Sequence, residues 1–574
     1  MKRTLAILVA ATFAFIASQT VAFGNGPEPT AEAYIEAGEF APAINLANAA
    51  TDIAPAKRDA ILAAVSQAQA VAGDRRAALQ SASQIGDDRM LSDTLGVVRT
   101  QPMKAPGAFG GNQADFQSVI DLITSTVAAP TWDTVGGQGS IMPFPNGVYV
   151  DPQGVLQKQT KDDRTGTLAM LRNAAASRQA SGDVRKNSAL RKVSLVQLER
   201  QVELRAAEGK RPTEEMQFLG GLQRIQYVLV YPDEGDVVLA GPAGDWYMDH
   251  DGRMVGKESN RPVLRLDDLV VILRHCLLSK DARFGCSITP TQASLSDVQE
   301  FVKESNKTPL KPGQRDAWLR QLREKLGKQE IEVQGIDPRT RAGLVMVEAD
   351  YRMKLVGMGL EEGVLGVPSY LSMIRVPPGQ PAPPMDVLRW WFTLAYDSVV
   401  ATAQHDAFEL RGQGVQVLSE NEMLDAAGQR VHTGNSDNLN REFAHNFTKH
   451  FAELAVKYPI YADLQNLCDM ALVSTLLRNE NVPDKIRWHL LYFGDPQRYQ
   501  VPLAAAPKQV DTVINHRVVN QTTIIVGVSG GVQIDPMAFA KPSAIKTDDY
   551  GRLKAERTGA APKKAGGTQP WWWD

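Results

Sequence analysis

"TIIVGVSGGVQI", residues 523–534, decides how the second half of this chain is read. Its Gly527-Val528-Ser529-Gly530-Gly531 matches G-x-S-x-G, the nucleophile elbow of serine hydrolases. An elbow needs a strand, a sharp turn and then a helix. "TTIIV" is a good strand, but after Ser529 the residues Val532 and Ile534 alternate as in a second strand. Strand, glycine turn and strand make a hairpin, and adjacent glycines supply the positive φ of its turn. The α/β-hydrolase order also demands a histidine after the serine, and the final histidine is His516. Other triad orders remain open, because the same geometry recurs on unrelated folds. Ser529 is therefore expected in a turn, and no catalytic residue is assigned.

Outward from that stretch, strands and helices mix without regular βαβ alternation. "RIQYVLVY" and "DVVLAG" flank the turn cluster "PDEGD", and "GDWYMDHDGRMVG" forms two short strands around Asp251-Gly252. "QEIEVQG", "AGLVMVEAD", "WWFTLAY", "DAFELRG", "GVQVLSE" and "VDTVINHRVV" are further strands. Helices are expected near 267–278, 294–305, 313–327, 438–457 and 460–478. The class is α+β, multi-domain, with an N-terminal helical hairpin before a mixed α+β core.

The 574 residues exceed one ordinary domain. A net charge of −3, from 62 basic and 65 acidic residues, argues against a nucleic-acid partner. Lys2 and Arg3, an apolar run from Leu5 to Ile16 and small residues at Thr20-Val21-Ala22 read as a cleaved signal peptide. The run is too short for a bilayer core of roughly 30 Å. The expected location is periplasmic or extracellular, soluble after cleavage. Three cysteines, Cys276, Cys286 and Cys468, sit among apolar neighbours as small core residues. A bridge between Cys276 and Cys286 is left open.

The expected divisions are a signal peptide (1–22), a helical hairpin (23–95), a linker (96–112), a small αβ module (113–157), a linker (158–189), an α+β core (190–535) and a disordered tail (536–574). In "AYIEAGEFAPAINLANAATDIAP", Gly38, Phe40, Ala43, Ala50 and Pro55 resemble one tetratricopeptide repeat, and Gly73 and Ala78 repeat the spacing 35 residues on. The helix of Phe116, Val119, Ile120, Ile123 and Val127, followed by "NGVYVD", resembles the small αβ modules of secretins. "LQRIQYVLVYPDEGDVVLAGPAGDW", "RPVLRLDDLVVILR", "VEADYRMKLVGMGLE" and "FAHNFTKHFAELAVKYPIYADLQNL" together resemble the bacterial domain-of-unknown-function family 1598 (DUF1598), over about 190–535. That resemblance implies an exported bacterial protein and brings no activity with it.

Other candidate chemistries are weighed against plainer readings. His445 and His450 are five apart, about 140° around a helix, so they cannot share a metal as the four-apart pair of a zinc helix does. His450 falls in the apolar stripe of Phe443, Phe447, Phe451 and Leu454 and reads as a core histidine. Asp233, Glu234 and Asp236 fail the calcium-loop pattern, because Gly235 falls where a ligand is needed. "DHDG" at 249–252 is Asp-Gly turn chemistry. No phosphate-cradling glycine motif occurs, so no cofactor and no metal is expected. Trp571, Trp572 and Trp573 follow a polar, Lys/Ala/Gly-rich segment. They are expected to end a mobile tether that contacts an envelope protein or a membrane surface, with folding back onto the domain as the equal alternative. The functional expectation is a non-enzymatic, protein-binding or scaffolding component of the envelope. The competing expectation is an envelope hydrolase whose site is assembled from scattered residues.

Overall fold

The computed structural model describes residues 30–49, 53–101, 140–144, 147–151, 184–305, 307, 314–376, 386–424, 430–519, 522–562 and 570–574. The chain divides into two units, 1–107 and 108–574. The expected signal peptide, the helix of the small αβ module and most of the 158–189 linker lie outside the described residues.

The first unit is built from α1 (Ala31–Glu36), α2 (Phe40–Ala49), α3 (Pro55–Val71), α4 (Arg75–Ala82) and α5 (Asp88–Thr100). Thr30, Asp74 and Asp87 start helices by accepting the N–H groups of Ala33, Ala77 and Met90. Gly38 and Gly73 take φ of 75° and 86° where one helix ends and the next begins. The repeated Gly–Ala spacing thus marks two helical hairpins rather than one. α5 also runs into the expected linker, because Leu91, Leu95 and Val98 form a buried stripe.

The first described elements of the second unit are the antiparallel pair β1 (Ser140–Phe144) and β2 (Gly147–Asp151). Next come β3 (Ser188–Ser194), α6 (Leu195–Ala207), β4 (Tyr227–Tyr231), β5 (Asp236–Ala243), β6 (Trp246–Met248), β7 (Met254–Gly256) and α7 (Leu266–Ile272). β8 (Phe284–Pro290), α8 (Gln292–Ser305), α9 (Arg315–Leu326), β9 (Lys328–Gln334) and α10 (Arg341–Gly357) lead to β10 (Asp386–Ala395), β11 (Ser398–Ala401), β12 (Ala407–Arg411), β13 (Gly414–Leu424) and β14 (Arg430–His432). After α11 (Asn438–Lys449), α12 (Phe451–Lys457) and α13 (Ile460–Asn479) come β15 (Gln509–Asp511), β16 (Ile514–Val519), β17 (Thr522–Ile534), β18 (Ile545–Thr547), α14 (Arg552–Gly559) and β19 (Trp572–Trp573).

One sheet runs β14-β13-β10-β17-β8-β9-β15, with β16 also on β17; the other runs β18-β11-β12-β4-β5-β3-β19. Antiparallel pairs dominate both large sheets, with single parallel pairs in each and no regular βαβ alternation, which places the fold in the α+β class. The core helix is α13, buried at every residue from Ile460 to Leu477. Its two aspartates are paired with arginines from elsewhere in the chain. Asp463 receives Arg253 at 2.8 Å and Arg341 at 2.6 Å, and Asp469 receives Arg224 at 3.0 Å.

Three expectations change here. "TIIVGVSGGVQI" is not a hairpin: β17 is one continuous strand of 13 residues. Its one side pairs with β10, and its other side passes from β16 to β8 near Ser529. The glycines serve close approach, not a turn. A Cβ on Gly530 would sit 1.9 Å from the Trp390 carbonyl oxygen, and one on Gly531 2.0 Å from that of Cys286. "AGLVMVEAD" is helical, within α10. Thr340 caps it, and Ala342, Val345, Met346, Ala349, Met353 and Val356 bury one face at helical spacing. The described part of the 536–574 tail is ordered. β18 pairs with β11, Leu553 of α14 is buried, and Arg557 donates to the Val230 carbonyl at 2.9 Å. Polar composition misled because Arg552 and Arg557 bond to the sheet and one apolar residue, Leu553, anchors α14 beneath them.

Candidate functional site

Period-2 geometry puts residues two apart on one face of a strand. Glu420 and Glu422 therefore share a face of β13. His432 on β14 lies opposite Glu422, Arg389 on β10 opposite Glu420, and Ser529 on β17 opposite Arg389. Four adjacent strands thus bring two carboxylates, an imidazole, a guanidinium and a hydroxyl to one side of the sheet. The opposite side, with Trp390 and Phe392, faces the core.

The contacts are specific. Ser529 Oγ donates to Glu422 Oε2 at 3.0 Å. His432 Nδ1 lies 3.2 Å from Glu422 Oε1 and 3.4 Å from Glu420 Oε2. Glu420 Oε1 accepts the Gly434 N–H at 2.7 Å, and Arg389 Nη1 donates to Glu420 Oε2 at 3.1 Å. The Arg389 guanidinium lies 4.5 Å over the Trp391 ring. Ser529 and both glutamates are buried, while the His432 side chain is 56% exposed. Burial works to raise the Glu420 carboxyl; the Gly434 N–H, Arg389 and His432 outweigh it and hold it below the usual carboxylate range.

Ser529 is bonded to a carboxylate, not to a histidine base. Glu422 stands between the hydroxyl and the imidazole, which reverses the order a catalytic triad needs. Ser529→Ala should therefore leave no labelling deficit towards a fluorophosphonate probe, since wild-type Ser529 should not react. The substitution should cost about 1.5–3 kcal/mol, the contribution of a buried hydrogen bond to a charged group. Equilibrium unfolding of the variant measures it, and a change near zero would mean the Ser529–Glu422 bond contributes nothing. A turn position would have made the change near-neutral; the strand does not.

The other candidates resolve as structure. Phe443 and Phe447 are buried as expected, and His445 is exposed on the far side of α11. His450 is not a core residue. It sits where α11 breaks from α12, 24% exposed, with Nδ1 3.5 Å from Glu453. Asp249 closes an Asx turn by accepting the Asp251 and Arg253 N–H groups at 2.9 and 2.8 Å. In "PDEGD", Asp233 and Glu234 are solvated, but Asp236 is buried and accepts the Ser194 hydroxyl at 2.7 Å. Cys276, Cys286 and Cys468 are buried free thiols, so the open bridge is not formed. Burial pushes the Glu199 carboxyl up to about 7, against the N–H groups of Phe493, Trp488 and Tyr492. Those three donors make Glu199 a clamp on the 488–493 loop. A shallow cavity of about 260 Å³, lined by Asn187, Gln223, Asp245 and Glu258 together with Ala189 and Ala243, lies beside β3 and β5.

Trp571, Trp572 and Trp573 do not end a mobile tether. Trp572 and Trp573 pair antiparallel with Val193 and Lys192 of β3, and the Trp571 carbonyl accepts the Ser194 N–H at 2.9 Å. Arg191, its side chain fully buried, grips Asp574 through two hydrogen bonds of 2.8 and 2.9 Å and lies 4.8 Å over the Trp572 ring. Its other hydrogens reach the Gly220 carbonyl at 2.7 Å and the Lys186 carbonyl at 3.1 Å. Trp573 Nε1 donates to the Ala560 carbonyl at 3.2 Å. Burial works to raise the Asp574 carboxyl, and the Arg191 bonds outweigh it and leave it lowered.

Fold and site together define a two-unit α+β protein with a polar cluster on one sheet face and an added strand on the edge of the other sheet. The family described as "Protein of unknown function (DUF1598)" matches residues 286–370. The resemblance drawn from the four motifs holds over that shorter stretch, which includes "VEADYRMKLVGMGLE" on α10 and the turn after it. Neither the curated proteins nor the solved structures give a match. Among the described residues, no helix is long and apolar enough to cross a membrane.

Glu420, Glu422, His432 and Arg389 escaped the sequence reading. The available signal was Glu420-x-Glu422 at period two inside a strand, but the strand had been ended at Glu420.

Proposed function

We propose that this is an exported protein of the cell envelope that works by binding other proteins. Export rests on the basic, apolar and small-residue order of 1–22. Protein binding is supported above all by the manner in which β3 holds residues 571–574. Extended peptides are taken up by sheet edges in this way: main-chain hydrogen bonds supply affinity and side-chain contacts supply selectivity. Here the selective contacts are a buried guanidinium for an acidic side chain and apolar surface for aromatic rings. A partner segment that is extended, aromatic and acid-tipped fits the same edge by exchange. The near-balanced charge favours a protein over a nucleic acid.

The experiment is a chain truncated after Pro570, titrated with the synthetic peptide QPWWWD. The truncated chain should bind the peptide, and the peptide carrying Asp574→Ala should bind roughly tenfold or more weakly, the loss expected for a charge-assisted hydrogen-bond pair. A truncated chain that keeps native circular dichroism yet ignores the peptide would sink the strand-exchange reading. So would a truncated chain that no longer folds, since the segment would then be an obligatory part of the core.

A further inference from the structure

We propose that Glu420, Glu422 and His432 form a binding site for a divalent transition-metal ion of the zinc class. The site is independent of the β3 edge and of the protein-binding reading.

The three side chains offer one ligand atom each, all within 4.8 Å of one another. Bonds of about 2.0–2.2 Å to nitrogen and oxygen place neighbouring ligands of a tetrahedral ion about 3.3–3.5 Å apart. The two imidazole–carboxylate separations, 3.2 and 3.4 Å, fall at that spacing. Each carboxylate is also fixed from behind. Ser529 Oγ–H holds the far oxygen of Glu422, and the Gly434 N–H holds the far oxygen of Glu420. The near oxygens, Glu422 Oε1 and Glu420 Oε2, are thereby aimed at His432 Nδ1. Such supporting bonds are what orient the ligands of protein metal sites.

Charge points the same way. Two buried carboxylates stand against the single guanidinium of Arg389, an excess of acidic groups on this face of the sheet. A divalent ion compensates it. A nitrogen ligand separates this set from the all-oxygen sites of calcium and magnesium. Three protein ligands leave a fourth position for water on the side where His432 is exposed, the arrangement of zinc sites that keep an open coordination place.

The competing account of the same distances is an imidazolium ion paired with both carboxylates. The two are distinguished with tag-free, chelator-stripped protein, titrated with Zn²⁺ by calorimetry and with Co²⁺ by visible absorption. One equivalent of Zn²⁺ should bind, and Co²⁺ should give the intense bands of a tetrahedral site. His432→Ala, at an exposed position that leaves the fold intact, should abolish both signals. Ser529→Ala should weaken Zn²⁺ by about 10–100-fold, the usual effect of losing a group that orients a ligand. His445→Ala, on an exposed helix face, should change neither. Absence of Zn²⁺ and Co²⁺ binding to the wild-type chain overturns the proposal in favour of the ion pair. Binding that survives His432→Ala overturns it in favour of an adventitious surface ion.

Discussion

Lys354→Met should lower the unfolding free energy of the second unit by about 3–5 kcal/mol, as expected when one partner of a buried ion pair is removed. Asp350 and Lys354 lie one turn apart on α10, and neither side chain is exposed. Lys354 Nζ is 2.7 Å from Asp350 Oδ2 and 3.3 Å from the Ile288 carbonyl. Methionine keeps most of the stem's packing, so the loss reports on charge. Burial raises the Asp350 carboxyl, with Lys354 pulling against it. A carboxyl raised in the folded state contributes most below its unfolded value of about 3.9 and progressively less as pH climbs toward its folded value. Without Lys354 the upward shift grows. The deficit should therefore be small in acid and increase toward neutral pH. The double variant Asp350→Leu/Lys354→Met removes both charges and should recover most of the loss. Urea unfolding at several pH values tests this. A single-variant deficit below about 1 kcal/mol is what an exposed pair gives, and would show that water reaches the site.

Phe447→Ala should cost a further independent 3–5 kcal/mol or so, the usual range for truncating a buried phenylalanine. Phe447 is fully buried at the centre of an aromatic group. Its ring centroid lies 5.4 Å from Tyr461, edge-on, and 5.9 Å from both Phe392 and Phe443. These rings join α11 and α13 to β10, so no single neighbour can move in to fill the space. A small change in denaturant midpoint with an unaltered m-value would mean that the rings do close the gap. Phe447 and Lys354 lie on different helices, α11 and α10, and their effects should add.

The apolar periodicity of α11 was readable because it buries one continuous face, and Phe447 follows from spacing alone; α13, buried on all sides, was readable from its length and apolar content. β10 was readable in period two, and β4 and β5, buried almost throughout, as short β-branched runs bounded by a turn cluster. α10 was not, because its "VMV" run satisfies both periods, and only the Thr340 cap and the residues beyond Asp350 decide between them. β17 failed on glycine. Gly530 and Gly531 signal either a turn or a close neighbour, and the neighbours, Trp390 and Cys286, are 140 and 245 residues away in sequence. The candidate metal cluster was invisible for a related reason: its three residues come from two strands, β13 and β14, with Arg389 of β10 and Ser529 of β17 behind them, and only the strand register assembles them. For Trp571 to Trp573 composition gave the wrong state. Nothing local announces that Arg191 lies buried with a place for Asp574.

The order of strands in the second sheet also sets a timetable for folding. β4 and β5 are joined by a short turn, and β3 precedes them by only α6 and a short helix, so these three can pair among themselves early. β11 and β12 arrive more than 150 residues later, and β18 and β19 join only after the whole of the other sheet has been made. The Arg191–Asp574 contact spans 383 residues, and its loop closure comes last. Until then a guanidinium destined for the interior stays hydrated at an open sheet edge. A chain that is still folding is consequently open to foreign strands at β3, and its own strand β19 is the competitor that closes that interval.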